Sequence, residues 1–297
     1  MPSVIEAAGL TKSYGSRRGI DGVTFAVDEG EVFGFLGPNG AGKTTTIRTL
    51  LGLLRPTDGS ASIFGLDVWA DAPRLHERLS YVGSDPAYLG ELTAGRQLDD
   101  ICRLRRLPKG IWRPIAERLE LDPSVQIRKL SRGNRQKVGL ILALFHEPDL
   151  LILDEPTSGL DPLMQEEFLA LVREERERGC AVLISSHELD EVERVCDRVG
   201  IIRDGRLIAV ERVADLLGKT PRRVSVEFTE PVDLEQLRSL PGVSELVAED
   251  GRVSFRVSGD LDAVVKVISH HTVADLELAH PTLEEVFLTY YEDEGES

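Results

Sequence analysis

No apolar stretch in this chain approaches the roughly 18 residues that a membrane-crossing helix requires. The richest run, Val138 to Phe145, stops at His146-Glu147-Pro148. The N-terminus, Met1-Pro2-Ser3-Val4-Ile5-Glu6, lacks the basic-then-apolar pattern of a secretory leader. Cysteine is scarce. Cys102, Cys180 and Cys196 form no CxxC or other metal-ligand spacing, which points to free thiols in a reducing compartment. Basic charge is short as well: 35 Lys/Arg stand against 51 Asp/Glu, for a net charge of −16. A basic nucleic-acid footprint is therefore absent, and adsorption to anionic lipid is disfavoured. The imbalance is uneven, since residues 221–297 carry 6 Lys/Arg and 17 Asp/Glu, a net of −11. No internal repeat is visible, and low complexity is confined to Glu292–Ser297. What remains is a 297-residue chain, 41% hydrophobic, enough for one large domain or two smaller ones.

Against this background one segment stands out. Gly37, Pro38, Asn39, Gly40, Ala41, Gly42, Lys43 and Thr44 fit the phosphate-loop pattern of Gly, any four residues, Gly, Lys, then Ser or Thr. Glycines let backbone N–H groups approach a phosphate closely, and a helix starting near Gly42 adds the positive end of its dipole. Lys43 supplies a charge for the β- and γ-phosphates, and the Thr44 hydroxyl can ligate Mg²⁺. The context suits the mechanism. Val32 to Leu36 reads as a buried strand, and Thr45 to Leu54 places Ile47, Leu50, Leu51 and Leu54 at helical spacing. A second segment agrees: Leu150 to Leu153 is an apolar strand ending in Asp154 and Glu155. Asp154 is placed to hold Mg²⁺, and Glu155 to polarise an attacking water as a general base.

The pattern predicts an α/β core with a largely parallel sheet. Val23, Phe25 and Val27 alternate with polar residues as on a half-buried strand. Residues 92–146 carry helical patterning through Leu104, Leu107, Ile111, Ile115 and Leu119. A helix near Leu163–Arg178 and a strand from Ala181 follow, and Asp204-Gly205 signals a hairpin. Gly218-Lys219-Thr220-Pro221 is the expected boundary, giving domains 1–220 and 221–297. The second reads as βαββαβ, the ferredoxin-like order, with Asp250-Gly251 turning its middle hairpin. A final helix is expected from Thr282 to Tyr291.

Three further elements fall into line. Leu130-Ser131-Arg132-Gly133-Asn134-Arg135-Gln136 precedes Asp154, with Ser131 placed as a helix N-cap. Ser158-Gly159-Leu160-Asp161 follows the carboxylates, and His187 follows the strand that begins at Ala181. In order and spacing, residues 4–217 resemble the nucleotide-binding subunit of ATP-binding cassette (ABC) transporters. The resemblance implies an ABC-type phosphate-loop ATPase with a mixed sheet core and a helical subdomain at about 92–146. It implies ATP and Mg²⁺ as cofactors, and nucleotide contacts from the phosphate loop through Thr45. Ser131 and Gly133 are implied to close over the γ-phosphate of a second copy, in an ATP-bound homodimer. Asp161 is implied at that subunit interface, His187 as the switch histidine on the γ-phosphate, and Tyr14 as the aromatic that stacks on adenine. Pro281 to Leu288 is similar to the ending of ATPase subunits of ABC-2 type, daunorubicin-resistance-like exporters, which pair with a separate transmembrane permease. That implies a cytoplasmic subunit held on the inner membrane face, driving efflux of a small molecule such as a drug.

The chain departs from the family at two places. Arg132 and Asn134 replace the usual Gly and Gln of the signature, and no Gln follows Leu79–Val82, where the run is Gly83-Ser84-Asp85-Pro86. Ser84 or Asp85 is expected to take the position beside Mg²⁺. Other functions fit less well. A soluble ABC ATPase of translation or DNA repair would carry two cassettes, long coiled coils or zinc modules. A GTPase would need an Asn-Lys-x-Asp base reader, and the two asparagines, Asn39 and Asn134, begin none.

Overall fold

The computed structural model describes residues 2–292 apart from residues 16, 85–87, 231 and 250. It divides into two compact units, Met1–Glu211 and Arg212–Ser297. In chain order the first contains β1 (Ser3–Tyr14), β2 (Arg17–Asp28), β3 (Val32–Leu36), α1 (Lys43–Leu50), β4 (Asp58–Ile63), β5 (Leu66–Asp67), α2 (Ala72–Leu75) and β6 (Leu79–Val82). It continues with α3 (Ala94–Leu104), α4 (Arg113–Arg118), α5 (Arg132–Leu144), β7 (Leu150–Asp154), α6 (Pro162–Glu177), β8 (Ala181–Ser186), α7 (Leu189–Val195), β9 (Arg198–Arg203) and β10 (Arg206–Arg212). The second holds α8 (Val213–Lys219), β11 (Arg222–Phe228), α9 (Leu234–Arg238), β12 (Val243–Glu249), β13 (Arg252–Val257), α10 (Asp262–Ile268), β14 (Val273–Ala279) and α11 (Leu283–Glu292).

Among the described residues the first unit contains a six-stranded sheet, β10-β9-β3-β8-β7-β6, and a four-stranded sheet, β2-β1-β4-β5. β9, β3, β8, β7 and β6 run parallel. Every residue of β3, β7 and β8 is buried, as continuous apolar strands covered on both faces should be. β1 pairs antiparallel with β2 and β4. Their inward residues, Ile5, Leu10, Val23, Val27 and Ile63, join Phe33 and Phe35 in one core. Phe25 bridges the two sheets, its ring 5.3 Å from Phe33 and 5.4 Å from Phe35.

The strand order positions the site. β8 lies between β3 and β7, in a register that opposes Leu36 to Ser186 and Asp154 to Ser185. The loops leaving the carboxyl ends of these three strands therefore open side by side, where parallel sheets bind ligands.

Several expectations shift. α1 starts at Lys43 and ends at Leu50, because Gly52 at φ 67 ends the helix in the left-handed conformation. The apolar spacing from Leu104 to Leu119 spans a break between α3 and α4, where Arg106 and Gly110 take positive φ around Pro108. Leu104 is accordingly 73% exposed. The turn from β9 to β10 has positive φ at both Asp204 and Gly205, the type I′ geometry of a tight hairpin.

The second unit's sheet has the order β12-β13-β11-β14 with antiparallel pairing throughout, the ferredoxin-like arrangement. Val224, Val226, Val253, Phe255 and Val257 pack under Leu237 of α9 and Val264 and Ile268 of α10. Asp250 of the expected hairpin turn lies outside the described residues. α8 belongs to this second unit, so the division falls at Glu211 rather than at the expected residue 220. A chain ended at Glu211 should therefore stay soluble, unfold in one cooperative thermal transition and still bind ATP. Aggregation, or a transition without cooperativity, would mean that residues 212–297 complete its core.

Candidate active site

The loop after β3 is shaped by what cannot fit in it. A Cβ on Gly37 would lie 2.3 Å from the Ile202 carbonyl oxygen, and one on Gly42, at φ 116, would lie 2.9 Å from Ile20 Cγ2. Glycine at these two positions lets the chain turn between β3 and α1 against β9. Lys43 is 5% exposed. Its Nζ donates to Gly37 O at 2.5 Å and Pro38 O at 3.4 Å, and meets Glu155 Oε1 at 3.2 Å. Thr44, the next residue, donates from Oγ1 to Asp154 Oδ2 at 2.9 Å. Asp154 is 1% exposed, and its other oxygen accepts from Ser185 Oγ at 2.6 Å.

Glu155 follows immediately with φ 52, unusual for a residue other than glycine. Its N–H donates to Ser185 O at 3.0 Å. This turns the side chain out of β7 and holds it between two cationic or ionisable partners. Oε1 faces Lys43, and Oε2 is hydrogen-bonded to His187 Nδ1 at the end of β8. His187 is half exposed.

A cleft of about 540 Å³ joins these groups. Lys43, Thr44, Glu155, His187 and Tyr14 line it, with Ser84 and Arg132 also on its wall. Pro38, Asn39, Gly40, Gly42 and Thr45 contribute from the loop and the first turn of α1. Gly37 and Ala41 shape the loop from beneath, without lining the cleft. The Tyr14 ring is 47% exposed and packs against Gly19, where an added Cβ would lie 2.8 Å from Tyr14 Cε2. Among the described residues no group of three His, Cys, Asp or Glu could cage a metal. The Thr44 hydroxyl and the Asp154 carboxylate offer two hard oxygen donors at one point, the set with which Mg²⁺ is bound when phosphates and water complete its shell.

The remaining expected residues lie elsewhere. Ser131 caps α5, its hydroxyl accepting from Asn134 N at 3.2 Å, and Asp161 caps α6, accepting from Met164 N at 3.1 Å. A Cβ on Gly133 would lie 2.3 Å from Gly159 O, so the capped turn and the 158–161 loop touch closely. Arg132 adds a hydrogen bond to Ser158 Oγ at 2.8 Å. Ser131, Gly133 and Asp161 do not line the cleft of their own chain. Asp85 lies outside the described residues. Sequence reasoning missed Ser185 and Gly19. Ser185 follows an apolar strand and carries no motif, and only the β7–β8 register brings it to Asp154.

Comparison with known proteins agrees with this geometry. Residues 20–158 match the family model described as ABC transporter. The bacitracin transport ATP-binding protein BcrA of Bacillus licheniformis is 40% identical over 214 residues, covering 70% of this chain and 69% of that protein. The linearmycin resistance ATP-binding protein LnrL of Bacillus subtilis (strain 168) is 30% identical over 302 residues, covering 96% of this chain and 97% of that protein. A solved structure of an ATP binding subunit of an ABC transporter, 33% identical, superposes with a TM-score of 0.67 over 72% of this chain and 91% of its own. With relatives of this identity and coverage, the chain belongs to the ATP-binding subunits of ABC transporters.

Proposed function

We propose that the chain hydrolyses Mg²⁺-ATP in this cleft and drives export of a small molecule through a separate membrane subunit. The observation that carries the reading is the convergence of Lys43, Glu155 and His187 on one cleft beside the Thr44–Asp154 pair. Thr44 and Asp154 would hold the Mg²⁺, which neutralises charge on the β- and γ-phosphates. Lys43 exchanges Glu155 for phosphate oxygens when ATP enters, which releases Glu155 to take a proton from the attacking water. His187 keeps the Glu155 carboxylate aimed and reaches the γ-phosphate from the end of β8. Tyr14 stacks on adenine.

Ser131, Gly133 and Asp161 serve the nucleotide of a second copy, in a homodimer that forms with ATP. Their position outside the cleft of their own chain supports this. Export is supported by relatives that match 96% of this chain, among them the linearmycin resistance protein and the Nod factor export ATP-binding protein I of Ralstonia nicotianae, the latter 32% identical. Among the described residues no helix is long and apolar enough to cross a membrane; a separate permease that holds this chain at the inner membrane face is supported by relatives named as ATP-binding proteins of transport and resistance systems.

Glu155→Gln should leave ATP binding intact and slow hydrolysis by about 10²–10⁴-fold, the range for losing a general base. The ATP-bound dimer should then accumulate on gel filtration. Cells carrying that variant should lose efflux, and the tagged chain should be recovered from membranes with a multi-helix membrane protein. Wild-type hydrolysis would refute the base assignment; recovery on ribosomes or DNA would refute export in favour of a translation or repair ATPase.

Tyr14→Ala should cost about 1–3 kcal/mol of nucleotide affinity, as loss of base–aromatic stacking does elsewhere. Stacking is nearly blind to base identity, so calorimetry should find GTP binding close to ATP. A strong preference for ATP would mean that another residue reads the adenine edge.

Ser84, the one of the two candidates that lines the cleft, is proposed to approach Mg²⁺ through water. Ser84→Gln should then move the Mg²⁺ concentration for half-maximal ATPase activity more than about twofold, since a longer amide reaches the ion's shell directly. A smaller change would make the segment a connector.

A further inference from the structure

The mechanism above does not use the buried carboxyl group of Glu191. Glu191, in the first turn of α7, is 5% exposed. One of its oxygens collects two hydroxyls from different segments: Thr157 Oγ1 at 2.9 Å and Ser186 Oγ at 3.3 Å. Its other oxygen, Oε1, has no hydrogen-bond partner and is buried. A buried polar atom without a partner costs stability and calls for an explanation in function.

The two hydroxyls are informative because of what adjoins them. Thr157 stands two residues after Glu155, on the loop leaving β7. Ser186 ends β8, one residue before His187. Ser186 Oγ also accepts from Glu188 N at 2.9 Å, which fixes the turn bearing the histidine. Glu155 and His187 are themselves hydrogen-bonded. One carboxyl group thus closes a ring through both segments behind the reacting pair: Glu191, Thr157, Glu155, His187, Ser186.

We propose that Glu191 is a positioning residue for ATP hydrolysis, its buried carboxyl group holding the Glu155 loop and the His187 turn in mutual register through Thr157 and Ser186. The inference rests on Glu155 being the general base and is independent of what is exported. Glu191 also senses charge. Burial pushes its carboxyl up to about 7, the charges of Glu188 and Glu155 add to this, and the hydrogen bonds from Thr157 and Ser186 oppose it. Arg194 on the same helix and Cys196 just beyond it also lie in electrostatic reach of Glu191. Ionisation makes Glu191 a stronger acceptor for both hydroxyls. It also places a negative charge within electrostatic reach of Glu155.

The sign for stability is opposite. A carboxyl raised in the folded state contributes stability below its ordinary value and loses it as pH rises through about 7. Glu191→Gln preserves an oxygen for both hydroxyls but cannot ionise. Its thermal midpoint should therefore gain on wild type as pH rises from about 5 to about 8.

The decisive measurement is steady-state ATPase activity of the full chain against pH, for wild type, Glu191→Gln, Glu191→Ala and Glu155→Gln. Glu191→Gln should match wild-type kcat near pH 6 and fall about threefold or more below it at pH 8, with the KM for ATP unchanged. Glu191→Ala, if folded, should lose about tenfold or more in kcat at every pH. A Glu191→Gln profile parallel to wild type, or effects confined to KM, would overturn the proposal while an inactive Glu155→Gln left the base assignment standing. An active Glu155→Gln would bring down both.

Discussion

The rest of the site hangs on the Asp154 carboxylate. It is almost fully buried, and burying a carboxylate without partners is prohibitively costly. The structure meets that cost with a hydroxyl on each oxygen, Thr44 from α1 and Ser185 from β8. One carboxyl group therefore ties together the phosphate-loop helix and the carboxyl ends of two strands. Glu155 inherits its direction from this anchor. Its positive φ costs on the order of 1–3 kcal/mol at a residue with a side chain. The fixed Asp154 on one side and the N–H bond to Ser185 O on the other hold it there.

The parts of this arrangement that were legible in the sequence are those whose chemistry is contiguous. Gly37 to Thr44 must bend round a phosphate within eight residues, so the constraint is written locally. Asp154 and Glu155 follow a four-residue apolar run, Leu150–Leu153, that announces its own strand. Ser185 and Glu191 were not legible, because their partners are 31 and 34 residues away in the chain and meet them only through the β7–β8 pairing. The same distinction explains the error between α3 and α4. Apolar spacing ran through Leu104 and Ile111 in helical period, while Pro108 and the left-handed Arg106 and Gly110 broke the backbone beneath it. Periodicity records which face is apolar and not whether the helix is continuous.

The second unit shows the converse, a fold read almost residue by residue. Val224, Val226 and Phe228 face its core while Arg223, Ser225 and Glu227 face outward, so the strand period of two is unambiguous. The acidic outer face is partly balanced by Arg252, which pairs with Glu227 and Asp275. Those groups are exposed, and such pairs contribute little; the alternating buried residues hold this unit together. What the sequence misjudged was where the unit begins. Gly218 and Pro221 punctuate the chain, but α8 packs with α11, so the break in composition falls inside a contact.

The departure at Arg132 takes on meaning beside the close approach of Gly133 to Gly159. No side chain fits between those two backbones, so the turn capping α5 and the 158–161 loop pack directly against each other. That loop is continuous with the base: Ser158 N bonds to Glu155 O at 3.3 Å, and Leu160 N to Thr157 O at 2.9 Å. Arg132 adds a side-chain tie to Ser158 across the same contact. An arginine here therefore removes nothing the contact needs, since Gly133 preserves the approach and Arg132 reinforces it from one side. The turn at Ser131 is joined by these contacts to the loop that follows Glu155, and through Thr157 and Glu191 to the segment bearing His187. Glu155 and His187 are thereby connected, contact by contact, to a turn whose Ser131 and Gly133 do not line their cleft, which is what the proposed hydrolysis needs if it is to depend on a second copy.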